Sequence, residues 1–222
     1  MQTFDTPAPV SAVVDIPAGR IRFVAADLTG TTVEVLPADP SRSRDVKAAE
    51  QIRVAYGDGV LRIEAPEARN RVLGPSGSVE VRVQLPAGSR VEAKAAAAEL
   101  RGVGRLGDVA FDGGHGSVEL DEADSARLTG LDADITVGRL NGPAEISTQK
   151  GDIRITEAVR GTLTLSTLMG DITVGAARGV GAVLDAGTTH GRISNTLKNT
   201  DPAPGLTVHA TTAQGDITAR SL

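Results

Sequence analysis

From about residue 100 onward, apolar and polar positions alternate in short bursts, and most bursts begin at a glycine. Aligned on that glycine, the copies are Gly116-Ser-Val-Glu-Leu120, Gly151-Asp-Ile-Arg-Ile155, Gly170-Asp-Ile-Thr-Val174, Gly191-Arg-Ile-Ser-Asn195 and Gly215-Asp-Ile-Thr-Ala219. A further copy, Ala133-Asp-Ile-Thr-Val137, has alanine in place of the glycine. Strict alternation marks a strand with one buried face. The buried positions would be Val118, Ile135, Ile153, Ile172, Ile193 and Ile217, at intervals of 17, 18, 19, 21 and 24 residues. Leu100, 18 residues before Val118, fits an earlier and more degenerate copy. Each glycine is preceded by a second alternating strand: Val109–Phe111, Ala126–Leu128, Ala144–Ile146, Leu163–Leu165, Val183–Asp185 and Leu206–Val208. A Ser/Thr-Thr pair often follows it, as at Ser147-Thr148, Ser166-Thr167, Thr188-Thr189 and Thr211-Thr212. One unit therefore reads as strand, polar corner, Gly-Asp turn, strand and loop.

A unit of about 18 residues cannot bury its own apolar face and must stack on its neighbours. The prediction is an all-β chain, a single-chain parallel β-helix or β-solenoid of six to seven coils over residues 91–222. At the usual strand spacing of ~4.8 Å this is a rod roughly 30 Å long. Gly116, Gly151, Gly170, Gly191 and Gly215 act as structural turn residues, because glycine reaches positive φ without a Cβ clash. Asp152, Asp171 and Asp216 cap backbone N–H groups beside them, as Asp134 does. Residues 196–205 read as an outward loop. The strand 216–219 reads as the open last coil, whose unpaired edge either recruits another copy, a place for self-association, or is protected by Arg220 and the terminal carboxylate.

Residues 1–90 are β-rich but less regular, a portion expected to merge into the stack. Strands are predicted at 10–16, 20–25, 31–36, 51–56, 59–64 and 78–85, with a hairpin over Val54–Val60 turning at Gly57-Asp58-Gly59. Ile16-Pro-Ala-Gly19 recurs as Leu85-Pro-Ala-Gly88, which reads as two entries into similar strand pairs. Asp39–Asp45 and Pro66–Pro75 read as polar loops, and no amphipathic helix is predicted.

Composition narrows the chemistry. The 222 residues include only three Phe, one Tyr and no Trp, so the core must be built from small aliphatic layers. Zero cysteines exclude disulfides, zinc thiolates and thiol catalysis. The formal charge of −5 disfavours nucleic acid and anionic membranes. The N-terminus lacks a signal-peptide pattern and no run approaches 18 apolar residues. A soluble, cytoplasmic protein with no membrane span is expected.

The segment Val81–Gly88, Val-x-Val-x-Leu-Pro-Ala-Gly, together with the recurring Ser/Thr-Thr-x-x-Gly-Asp-Ile-x-Val units, resembles a bacterial family of β-strand-repeat proteins of unknown function labelled "putative adhesin". The resemblance spans residues 10–222 and is clearest from 79 onward. It implies a right-handed single-chain β-helix and brings no catalytic residues with it.

No reaction is legible. His115 and His190 occupy equivalent pre-corner places, about 19 Å apart over four coil steps, too far to share a metal. The aspartate column is interrupted by Ser117 and Arg192 and lacks the nine-residue calcium-roll period, so no metal or cofactor is expected. Ser147-Thr-Gln-Lys150 fits Ser-x-x-Lys but lies on a strand end without the partner motifs. The arginines of the two polar loops, Arg42, Arg44, Arg69 and Arg71, are the candidate partner-binding residues, since Arg is favoured at interfaces. The sequence reads as a non-enzymatic binding or scaffold protein with a protein partner, or a second copy of itself. The alternatives are a carbohydrate-active or other hydrolytic enzyme with its site on one solenoid face, and a surface adhesin exported by a route the sequence does not reveal.

Overall fold

The computed structural model describes residues 1–66, 77–199 and 204–222. In chain order the elements are β1 (Gln2–Asp5), β2 (Ser11–Ala26), β3 (Gly30–Pro37), α1 (Ser43–Gln51), β4 (Arg53–Gly57), β5 (Val60–Glu64) and β6 (Val79–Pro86). They continue with β7 (Arg90–Thr129), β8 (Asp132–Leu140), β9 (Ala144–Lys150), β10 (Ile153–Ala158), β11 (Gly161–Met169) and β12 (Ile172–Ala176). The last four are β13 (Ala182–His190), β14 (Ile193–Thr196), β15 (Leu206–Gln214) and β16 (Ile217–Ser221). All the strands join one large sheet that does not close on itself.

Apart from β1, β3 and β4, the strands pair in parallel, with the corner residues in register. After the corner, Val81 lies beside Ile21 and Ile21 beside Leu100. The same column runs from Val118 through Ile135, Ile153 and Ile172 to Ile217. Every one of these side chains is buried, so each layer shields the next from water, the dominant favourable term in folding. Before the corner a second column runs Leu128, Ile146, Leu165 and Ala210. Phe23 is fully buried beside Gly102 of the next layer. A side chain at Gly102 would meet Leu106 and Leu120, so one large residue faces one absent side chain.

The order of layers departs from the order of the chain. β16 lies between β12 and β14, and β15 lies between β11 and β13. The strand at 217–221 is therefore interior, and the open end of the stack is the layer 182–196. The expectation that the last coil is the exposed one is corrected here, and the reason lies in two side chains. Asn195 falls in the inward column Val137, Ile155, Val174, Ala219. Burying an amide there without partners would cost about 1–3 kcal/mol, whereas at the end of the stack Asn195 is exposed. Arg192 stands where the other layers carry aspartate and offers no acceptor to a following layer. The layer 206–221 has neither defect.

The sheet is mixed rather than wholly parallel. At the N-terminal end β3 runs antiparallel to β6, β1 to β3 and β4 to β5. β1 and β4 are the outermost strands at that end, each paired on one side only among the described residues, with Phe4 and Tyr56 packed ring to ring at 5.4 Å. The expected hairpin is β4–β5, turning through Asp58 and Gly59 at positive φ. Residues 43–51 form a helix, which begins inside the expected polar loop 39–45 and was not predicted. Its composition is hydrophilic, and it is held by tertiary contact: the buried Asp45 carboxylate accepts the Ser78 N–H at 3.0 Å, while Ala48 and Ala49 pack against the core. The two Pro-Ala-Gly segments are not equivalent. Gly19 lies at the corner inside β2, whereas Leu85-Pro-Ala-Gly88 is the turn from β6 into β7.

The layer order makes opposite forecasts for two isoleucines. Ile217→Ala should destabilise the fold by about 2–5 kcal/mol, as buried truncations do. Ile193→Ala should cost less than about 1 kcal/mol, because Ile193 is 46% exposed. Urea unfolding of the two variants checks this, and a stack in chain order would reverse the ranking.

Candidate functional site

The corner is where local sequence and packing meet. Gly151, Gly170 and Gly215 have φ of 127°, 153° and 147°. A Cβ on any of them would run into the carbonyl of the corner in the preceding layer. Glycine is thus required by close approach as well as by backbone angle. Gly116 is alike, with φ 139° beside Ala98. Gly191 lies over the Gly215 carbonyl at the end of the stack.

The aspartate after each glycine reaches across layers rather than within its own turn. Asp134 Oδ1 accepts the N–H of Asp152 at 2.9 Å, Asp152 that of Asp171 at 2.7 Å, and Asp171 that of Asp216 at 2.7 Å. Asp216 accepts the N–H of Arg192 at 2.8 Å and also meets its guanidinium at 3.2 Å. The backbone N–H and side-chain N–H of Arg192, with its charge, hold the Asp216 carboxyl below its ordinary value. A second ladder runs beside the first. The Thr167 hydroxyl donates to the Gly151 carbonyl, Thr212 to Gly170 and Thr188 to Gly215, each at 3.1 Å. Only the second residue of each Ser/Thr-Thr pair in layers 144–158 and 161–176 points inward: Thr148 and Thr167 are buried beside each other.

Two surface features and one edge remain as candidates. A groove of about 460 Å³ runs along the corner past His115, Leu131, Asp132, Lys150, Leu168 and Met169. Leu131, Leu168 and Met169 are each about half exposed, and Lys150 pairs with Asp132 at 3.7 Å. A polar cleft of about 690 Å³ is lined by Arg105, Asp108, Asp124, Ser125, Asn141 and Arg160. Its groups engage one another: Arg105 forks onto Asp124, Ser125 donates to Asp108, and Arg160 donates to the Asn141 carbonyl. The edge is the outer side of β13 and β14, which pair on their inner side with β15 and β16 and with no other strand among the described residues.

The predicted candidates are scattered. His115 and His190 share one pre-corner column, through Asp132, Lys150, Met169 and Gln214. The inserted layer makes five steps between them, about 24 Å, rather than four. His209 lies outward on β15, 3.3 Å from Asp185. Arg42 precedes α1 and pairs with Asp39 at 3.2 Å, and Arg44 lies 3.8 Å from Asp45. Arg69 and Arg71 lie outside the described residues. Among the described residues no three His, Asp or Glu side chains converge as metal ligands do. The open edge was missed at its true place, although Arg192 and Asn195 were the signal for it.

Asp216 carries a pH dependence of known sign. Its depressed pKa favours the folded state above the ordinary carboxylate value of 3.8. That contribution is lost as the pH falls through the lower, folded value. Asp216→Asn keeps an acceptor for the Arg192 N–H but cannot ionise. Its stability profile should be flatter than the wild-type one below about pH 4, measured by urea unfolding across pH. Gly170→Ala should in contrast fail to reach the native melting point at any pH.

The sequence matches no family model and no curated protein. Among solved structures, a "putative cell adhesion protein" from Clostridium sporogenes aligns at 10% identity with a TM-score of 0.41, covering 98% of this chain and 94% of that one. A "putative adhesin" from Bacteroides fragilis aligns at 13% identity and 0.41, covering 98% and 95%. One from Parabacteroides distasonis aligns at 12% and 0.35, covering 100% and 95%. These structural neighbours are bacterial and carry the same label as the family whose repeat this sequence resembles. At such identities and scores the likeness carries no argument about what this chain does.

Proposed function

We propose that this chain is a right-handed β-solenoid with no catalytic role. It offers the open strand edge of β13 and β14 to a protein partner, in the first instance a second copy of itself. The right hand follows from the strong preference of parallel strand crossovers for that sense. The observation that carries the binding role is the contrast between the two ends. One ends in the short antiparallel strands β1 and β4, of 4 and 5 residues, and the other leaves a parallel two-strand edge with Ile193 46% exposed in a column that is otherwise buried. Unpaired edges are templates for strand addition, and proteins that do not use them blunt them. The edge carries both signs of charge, with Asp185 and Arg192 side chains 83% and 89% exposed. A second copy can therefore meet it without net repulsion at close range. Because each copy contributes the same edge, such pairing is self-complementary and stops at a dimer rather than growing into a fibre. The absence of cysteine suits a reducing cytoplasm, which is the proposed compartment.

Static light scattering across concentration tests the reading. The wild-type chain should move reversibly from monomer to dimer. Ile193→Lys with Asn195→Pro should stay monomeric with its fold intact, since both residues are exposed and the parallel register turns their backbone N–H groups away from β16. A wild-type chain that remains monomeric at millimolar concentration overturns it.

A further inference from the structure

The layer 206–221 fills a slot between two layers that both precede it in the chain. On one side it pairs with β11 and β12, and on the other with β13 and β14. The layer 182–196 has no other strand partner among the described residues, so it is docked only through the last segment. During synthesis 182–196 emerges first, and the slot stays empty until the C-terminus follows. The fit of the segment to the slot is explicit. Asp216 donates its N–H to Asp171, Thr212 donates to the Gly170 carbonyl, and Ile217 lies between Ile172 and Ile193.

From β7 onward the connection to this segment is also the longest. β8 and β9 are joined by three residues and β10 and β11 by two, whereas β14 and β15 are joined by nine, residues 197–205. Nine residues span up to about 30 Å when extended, against the ~4.8 Å between layers. No step in the stack requires that length. We infer that the C-terminal segment 206–221 is exchangeable: two copies can each insert it into the other's slot, forming a closed dimer with native contacts throughout. This contact differs from the edge pairing proposed above and does not depend on it. A nine-residue connection holds the chain's own segment at an effective concentration of the order of millimolar. In dilute solution it fills its own slot, and exchange competes only when chains fold together at comparable concentration. Once formed, the exchanged dimer persists on dilution, because release requires withdrawing a strand pair from between two layers.

The chain contains no cysteine, which makes a cross-link test clean. Thr162 and Thr207 are register partners on β11 and β15, neither lies on the open edge, and adjacent strand positions are within disulfide reach. Full-length Thr162→Cys and Thr207→Cys chains are unfolded, mixed, refolded at high and low concentration, and oxidised. The expected result is a covalent pair of unlike chains that rises with refolding concentration and does not form when the two are folded separately and then mixed. The doubly substituted single chain, refolded dilute, should close its bond internally. Internal closure without any covalent pair from co-refolding overturns the exchange, and failure of internal closure overturns the position of the last layer on which it stands. Reversible edge pairing produces no covalent link in this experiment, so the two proposals fail separately.

Discussion

The close approach of successive corners is the constraint on which the structure depends. At each turn the backbone of one layer lies against the carbonyl of the layer before it, and a Cβ on Gly151, Gly170 or Gly215 would occupy that carbonyl's place. Parallel strands in register leave little tolerance there, because every layer inherits the position of the last. The aspartate and threonine ladders act on the same few atoms: one satisfies the next layer's N–H, and the other donates to the previous layer's carbonyl. Hydrogen bonds to a charged acceptor are stronger than neutral ones, and here they recur at each step. The apolar columns supply the greater part of the burial, while the corner determines that they align.

A stack held by a repeated contact has a problem at its ends, and this chain treats its two ends differently. Near the N-terminus the repeat gives way to antiparallel strands and a short helix, and the last parallel layers are covered. At the other end the finishing layer, 182–196, carries substitutions that would be costly inside and are harmless outside. Arg192 donates to Asp216 but offers no acceptor to a further layer. Asn195 occupies an inward place that only solvent tolerates. The chain places its better-formed layer inside and its defective layer outside, even though this requires the C-terminus to turn back.

The distribution of polar groups bears on function. The acidic and basic side chains of the corner and the polar cleft are engaged with each other or with backbone, and no buried side-chain polar atom is left unpaired among the described residues. Backbone groups along the outer side of β13 and β14 and half-exposed aliphatic residues along the corner groove are not engaged in this way.

Much of the stack was legible in the residues because a period of two within a period of about 18 is a property of the sequence alone. The alternation identified the strands, the glycines the corners, and the columns through Ile135, Ile153 and Ile172 followed from alignment. The helix at 43–51 was not legible, since its polar composition forms a helix only with β3, β6 and Ser78 to hold it. The open edge was half legible: Arg192 was visible as a break in the aspartate column, but its meaning depends on which layer follows in space. Local pattern thus determined what each unit is and which face it buries. The order of the units was decided only by the tertiary structure, because the cost of Arg192 and Asn195 arises solely when another layer is placed on top of them.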